Sequence, residues 1–172
     1  MRDTHTGWYL VFTKPSHENI AKLNLDRQGF ITYLPLLQQH KRRRNLYKLV
    51  AEPLFPRYLF ICLDSKLDDW SKIRSTRGCV SLVRFGALPA QIPKVLIEKL
   101  QQDEANQSIQ KKASTPDFKS GDRIQIMDGM LVNYEGIVET KNSQQRITLL
   151  LDIAENHTRR VNLSIHQIKA AS

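Results

Sequence analysis

The chain has 172 residues, is 41% apolar and 25% charged, and carries a formal net charge of +9, a composition that suits one globular domain or two small ones. It excludes a helical membrane protein, because no apolar run approaches the ~20 residues that a span requires. It also excludes a disulfide scaffold, because Cys62 and Cys79 are the only cysteines and both lie in apolar, strand-like runs that suit buried free thiols.

The first six residues lack the apolar core of a signal peptide, so a cytoplasmic protein is expected. The charge is uneven. Residues 1–105 hold 17 Lys and Arg against 10 Asp and Glu, whereas residues 113–172 hold 7 of each. A basic N-terminal part beside a neutral C-terminal part points to a polyanion facing the first and a different partner facing the second.

Residues 8–12 (Trp-Tyr-Leu-Val-Phe) read as a strand. Pro15 suits a first helical turn with Thr13 or Lys14 near its cap, and Gly29 is a natural stop, so a helix is expected up to about Gln28. Ile20, Leu23 and the stem of Arg27 share its apolar face, with Ala21 and Leu25 at the edges. Lys14, His17 and Asn24 fall away from that face, and residues of these types reach phosphates and base edges.

Residues 30–34 form a second expected strand, and residues 35–47 a loop or hairpin tip holding the densest charge run, Lys41-Arg42-Arg43-Arg44. That run reads either as a contact for a polyanion such as DNA or as a solvated tip. The central stretch is Glu52-Pro53-Leu54-Phe55-Pro56-Arg57-Tyr58-Leu59-Phe60-Ile61. Proline is excluded from central strand positions, so Pro53 and Pro56 place Leu54 and Phe55 in an irregular lead-in to a buried strand that begins at Tyr58. Such a lead-in is covered by its own protein or offered to a partner.

A short helix is expected over residues 67–74 with Leu67, Trp70 and Ile73 on one face. A turn follows at Ser75-Thr76-Arg77-Gly78, a strand over 80–85, and a helix from Lys94 to about Ala105 with Val95 or Leu96, Ile97 and Leu100 inward. The order is that of an α+β sandwich with an antiparallel sheet and helices mostly on one face. Residues 106–117 are polar and aperiodic, a linker between a domain at 1–105 and another at 118–172.

The second domain carries two readings. Gly121-Asp122-Arg123-Ile124 through Gly129, and Tyr134-Glu135-Gly136-Ile137-Val138, alternate like strands of a small barrel. Residues 147–154 satisfy both periods: Ile147, Leu149, Leu151 and Ile153 alternate, while Ile147, Leu150, Leu151 and Ala154 follow helical spacing. Nothing in the chain resembles an enzyme. There is no phosphate-binding glycine loop and no nucleophile elbow, and the five histidines have no metal spacing, so no catalytic residue, metal or cofactor is expected.

These stretches resemble the NusG family of transcription elongation factors: the N-terminal part its NGN domain, an α/β sandwich, and residues 121–138 its KOW motif, a small barrel. The likeness is nearest to the specialised antiterminator branch RfaH and its plasmid-borne relatives. It is carried by Trp8-Tyr9-Leu10, Glu52-Pro53-Leu54-Phe55-Pro56 with Tyr58-Leu59-Phe60, Thr76-Arg77-Gly78 and Val83-Arg84-Phe85-Gly86.

The resemblance implies a monomer that binds the clamp helices of the largest RNA polymerase subunit through Phe12, Phe55, Tyr58, Phe85, Ile97 and Leu100, reaches the opposite pincer, and suppresses pausing and termination. It places Lys14, Thr76 and Arg77 on a face for the non-template DNA strand. Asn24 stands where RfaH has a DNA-contacting histidine, Ile20 replaces a basic residue, and His17 is the compensating candidate. Asp69-Trp70-Ser71-Lys72 replaces the segment that faces the opposite pincer.

It also implies a C-terminal domain that is an α-helical hairpin when autoinhibited and a five-stranded β-barrel when released, with Glu52 and Arg146 as the interdomain salt bridge. The released barrel would bind ribosomal protein S10. Two readings compete: a general NusG-like factor without autoinhibition, and a KOW-containing RNA- or ribosome-binding protein.

Overall fold

The computed structural model describes residues 5–110, 134, 136, 137, 140 and 142–170. Its central sheet is antiparallel, with strand order β2-β5-β1-β6. These are β1 (Thr6–Thr13), β2 (Ile31–Tyr33), β5 (Tyr58–Asp64) and β6 (Cys79–Leu82). The long pairing of β1 with β5 sets Leu10 opposite Phe60 and Val11 opposite Leu59. Both strands are buried on both faces, which explains their near-continuous apolar sequence.

Alternation divides the core in two. Val11, Leu59, Ile61 and Leu63 face α1 (Glu18–Arg27) and α2 (Ser71–Ser75), packing with Ala21, Leu25 and Ile73. Leu10 and Phe60 face the other way and pack with Leu96, Ile97 and Leu100 of α3 (Lys94–Gln110). Helices therefore cover both faces of the sheet, a correction to the expected one-sided layering.

Other expectations shift with tertiary packing. Helix α1 begins at Glu18, not at Pro15, after Ser16 at φ +59°. Its inward face is Glu18, Ala21 and Leu25, while Leu23 is exposed. The stop is as expected, with Gln28 at the cap and Gly29 at φ +91°. Helix α2 starts at Ser71 and leaves Leu67 in solvent, while Trp70 packs edge-on against Tyr9. The strand expected over 80–85 breaks at Val83 into β6 and β7 (Arg84–Phe85), which turns at Gly86 into β8 (Leu88–Pro89). Strand β9 (Gln91–Ile92) then pairs with β1. In α3 the inward choice is Leu96, with Val95 exposed. The helix continues through residue 110, so the first five residues of the expected linker are helical.

The basic segment takes the hairpin alternative rather than the loop. Strands β3 (Leu36–Arg43) and β4 (Leu46–Pro53) form a separate two-stranded ribbon, closed by Arg44 and Asn45, both at positive φ. A two-residue turn with positive φ at both positions matches the right-handed twist of a hairpin.

The C-terminal part contributes α4 (Ser143–Ala170). Asn142 caps it by accepting from the Gln144 N–H at 2.8 Å. Arg146, Leu150, Ile153, Ala154 and Thr158 form its buried stripe, so the helical period is the one realised over 147–154. Tyr134, Gly136 and Ile137 are helical as well, where a strand was expected. The expected strand at 121–129 lies outside the described residues.

Candidate functional site

The proline-bracketed lead-in is a built turn. Pro56 and Arg57 (φ +72°) form its corner, and the Tyr58 N–H donates to the Phe55 carbonyl at 3.0 Å. Arginine is rarely found at positive φ. Here its backbone N–H donates to Glu18 Oε1 at 2.8 Å, its carbonyl accepts from the Thr13 N–H at 2.8 Å, and its guanidinium lies 4.2 Å from the centre of the Phe12 ring. The turn drives the Phe55 ring inward, edge-on to Phe60 at 5.9 Å.

Phe55, Ile97 and Leu100 are at most 3% exposed and form one cluster with Tyr134, Ile137, Leu150, Ile153 and Ala154. Tyr58 and Phe85 pack against the same cluster. Five of the six residues expected to meet a partner thus lie together, in one cluster with the stripe of α4 and with Tyr134 and Ile137. Phe12 sits apart, 5.2 Å from the Tyr58 ring. Phe55, in the lead-in expected to be either covered or offered to a partner, is 1% exposed because its own chain supplies the cover.

Polar contacts fasten the cover near its start and at its middle. Near the start of α4, Arg146 donates from Nε to the Leu54 carbonyl and from Nη1 to the Thr140 carbonyl, both at 2.9 Å. Burial holds its guanidinium below the ordinary arginine value. About three turns further on, the Gln91 N–H donates to Thr158 Oγ1 at 2.9 Å. The implied Glu52–Arg146 salt bridge is not formed. Glu52 pairs with Lys41 of its own ribbon, and Glu52 and Arg146 only line the same cleft, of about 460 Å³. The register explains this: Lys41 and Glu52 lie on the same face of the ribbon.

On the opposite face of the sheet, the α1 end and the Thr76-Arg77-Gly78 turn come together. The Lys14 N–H donates to the Gly78 carbonyl at 2.9 Å. Gly78 lies so close to α1 that a Cβ there would meet the Ala21 nitrogen at 2.7 Å. Lys14 and Arg77 are exposed, whereas Thr76 is 6% exposed and its hydroxyl donates to the Lys72 carbonyl at 2.7 Å. His17 Nδ1 donates to the Pro15 carbonyl at 2.7 Å, and the Asn24 amide to the Ile20 carbonyl at 2.8 Å.

The sequence reading missed Gln28. Its amide nitrogen donates to Thr76 Oγ1 at 2.8 Å and to the Asn24 carbonyl at 3.1 Å, joining helix and turn from an exposed position. Its place beside Gly29 was the available signal, since a polar residue at a helix end is free to bridge outward. The ribbon cations Lys41, Arg42, Arg43 and Arg44 are exposed and belong to a different element. Both cysteines are free, and burial raises the Cys79 thiol to about 11. Among the described residues no group of acidic, histidine or cysteine side chains could hold a metal ion, and no helix is long and apolar enough to cross a membrane.

The transcription termination/antitermination protein NusG of Chlamydia trachomatis is 24% identical over 174 residues, spanning 94% of this chain and 93% of that protein. The protein of that name from Bacillus subtilis is 23% identical over 149 residues, 77% of this chain and 80% of its own. A solved structure of Thermotoga maritima NusG, concerned with its domain interaction, aligns with a TM-score of 0.44 and 19% identity over 68% of this chain and 70% of that one. The family described as transcription termination factor nusG matches residues 6–101, more than half of the chain; the chain belongs to the NusG family of transcription termination/antitermination factors.

Proposed function

We propose that the protein is an RfaH-like, operon-specific antitermination factor whose polymerase-binding face is held closed by its own C-terminal helix. Phe55, Tyr58, Phe85, Ile97 and Leu100, with Phe12 at the margin, form the face that docks on the clamp helices of RNA polymerase. Lys14, His17, Asn24 and Arg77 meet the non-template DNA strand, with Thr76 and Gln28 holding the turn in place. On recruitment α4 leaves the face, the C-terminal part refolds as a β-barrel, and the barrel becomes available to ribosomal protein S10. No bond is made or broken. The factor acts by binding the active polymerase better than its paused states, since a ligand shifts an equilibrium only by its differential affinity.

The observation that carries this reading is that Leu150, Ile153 and Ala154 share one buried apolar cluster with Phe55, Ile97 and Leu100. A surface needed by a partner is covered by a segment whose sequence also alternates as a strand would. The two packings of such an element differ by only a few kcal/mol, so a large partner can tip it.

Far-UV circular dichroism of the intact chain beside the 107–172 fragment tests the proposal. A β spectrum for the fragment, with helix in the intact chain beyond the N-terminal domain's share, is the expected result. Spectra that add as domain plus barrel overturn it. They favour a general NusG-like factor, a reading supported by the match over 94% of the chain to a NusG protein.

A further inference from the structure

The β3–β4 ribbon is a two-stranded sheet of its own, and residues 40–49 are all exposed. A lone hairpin is marginal in water, yet this one presents Leu46, Tyr47 and Leu49 to solvent at 64%, 73% and 44% exposure. Its register sorts the side chains. Lys41 stands opposite Lys48 and Arg43 opposite Leu46 on one face; Arg42 stands opposite Tyr47 on the other. Arg44 occupies the turn, and Arg42 Nη2 donates to Asn45 Oδ1 at 2.9 Å, which closes the tip. The partner must therefore be anionic, accept positive charge from both faces of a narrow arm, and offer apolar contact at the tip.

We propose that this ribbon is a second nucleic-acid site, separate from the Lys14 and Arg77 face, which enters the major groove of duplex DNA tip first. A ribbon with side chains on both faces is about 10 Å thick. The major groove is about 12 Å wide and admits a two-stranded ribbon, whereas the minor groove is about 6 Å. Arg43 and Lys48 then meet the phosphates of one wall and Arg42 those of the other. Leu46 and Tyr47, beside the turn, reach the groove floor, where the thymine methyl is the apolar feature.

Two other nucleic acids fit less well. The major groove of A-form RNA is deep and narrow and excludes such an arm. A single strand is held by a groove with several aromatic platforms, whereas this arm is convex and offers one aromatic. The inference goes beyond the single-strand reading above and uses none of its residues.

The test is fluorescence anisotropy of the full-length chain with a DNA duplex of about two helical turns (~20 base pairs), an RNA duplex of the same sequence, and one DNA strand. The DNA duplex binds at least about tenfold tighter than the RNA duplex. Arg43→Ala with Arg44→Ala weakens duplex binding about tenfold and lowers the slope of log affinity against log salt by about 2. Arg43→Lys with Arg44→Lys keeps that slope, which separates lost charge from a misfolded arm. Lys14→Ala with Arg77→Ala leaves duplex binding within about twofold but weakens single-strand binding. The proposal is overturned if DNA and RNA duplexes bind alike, or if the alanine pair on the ribbon leaves duplex binding unchanged. Single-strand binding indifferent to Lys14 and Arg77 would instead count against the function proposed above.

Discussion

Arg146 Nε donates to the Leu54 carbonyl at 2.9 Å across 92 residues of sequence, joining the C-terminal helix to the proline-bracketed turn. The same side chain also serves the Thr140 carbonyl and is 4% exposed. Removing a charged donor that serves two part-buried carbonyls leaves them short of a partner, at up to about 1–3 kcal/mol. Arg146→Ala therefore loosens α4 on the domain by roughly that amount. Binding of a hydrophobic dye rises and amide protection in α4 falls, while the central sheet keeps its protection. Unchanged protection in α4 would show that apolar packing alone holds the helix.

Glu52 gives the contrasting case. Its ion pair is with Lys41, and both side chains are more than a third exposed. Exposed pairs contribute about 0–1 kcal/mol, so Glu52→Gln leaves α4 docked, with dye binding and amide protection as in the parent chain. If Glu52→Gln opens the helix as far as Arg146→Ala does, the two charges are coupled in solution. A double-mutant cycle would then measure that coupling.

Two glycines at positive φ differ in what a methyl group would meet. At Gly29 (φ +91°) nothing lies within 4 Å, so Gly29→Ala carries only the cost of the left-handed conformation, about 1–2 kcal/mol. At Gly78 (φ +92°) the added Cβ would meet the Ala21 nitrogen at 2.7 Å. Backbone cannot yield as a flexible side chain does, so Gly78→Ala costs several kcal/mol and displaces the Thr76-Arg77 turn from α1. Thermal denaturation ranks the two. Equal losses would mean that the turn moves freely.

Docking of α4 is expected to depend on pH. His157 is half-buried on α4, and burial, then the Arg160 charge, hold its imidazole below the ordinary 6.5. A histidine with a lowered folded-state value contributes stability that is fully present above 6.5 and is lost as pH falls towards the lowered value. Dye binding therefore rises as pH drops from about 7.5 to about 5.5, and His157→Gln flattens that rise. A rise that persists in the variant would place the titration elsewhere.

Much of the architecture was legible in residue order alone. Residues 8–12 and 58–61 are strands because their aromatic and β-branched residues suit a doubly buried sheet. Gly29 ends a helix because it takes positive φ without cost. Two prolines make residues 54–57 irregular. Those are local statements about dihedral angles and side-chain bulk, and the chain determines them by itself.

What needed the tertiary structure was every choice between two locally acceptable answers. Leu23 and Leu25 are equally apolar, and Leu25 is inward because α1 is pinned at Ala21 by the turn at Gly78. Residues 147–154 fit a helix and a strand alike, and the apolar face around Phe55, Ile97 and Leu100 selects the helix, whose stripe matches that face. Phe55 reads as exposed until the helix that covers it is in place. The resemblance makes Arg146 a salt-bridge partner of Glu52, but Lys41, brought onto the same ribbon face, pairs with that carboxylate. Periodicity reports which residues can share a face; which face is buried depends on a surface supplied from elsewhere in the chain.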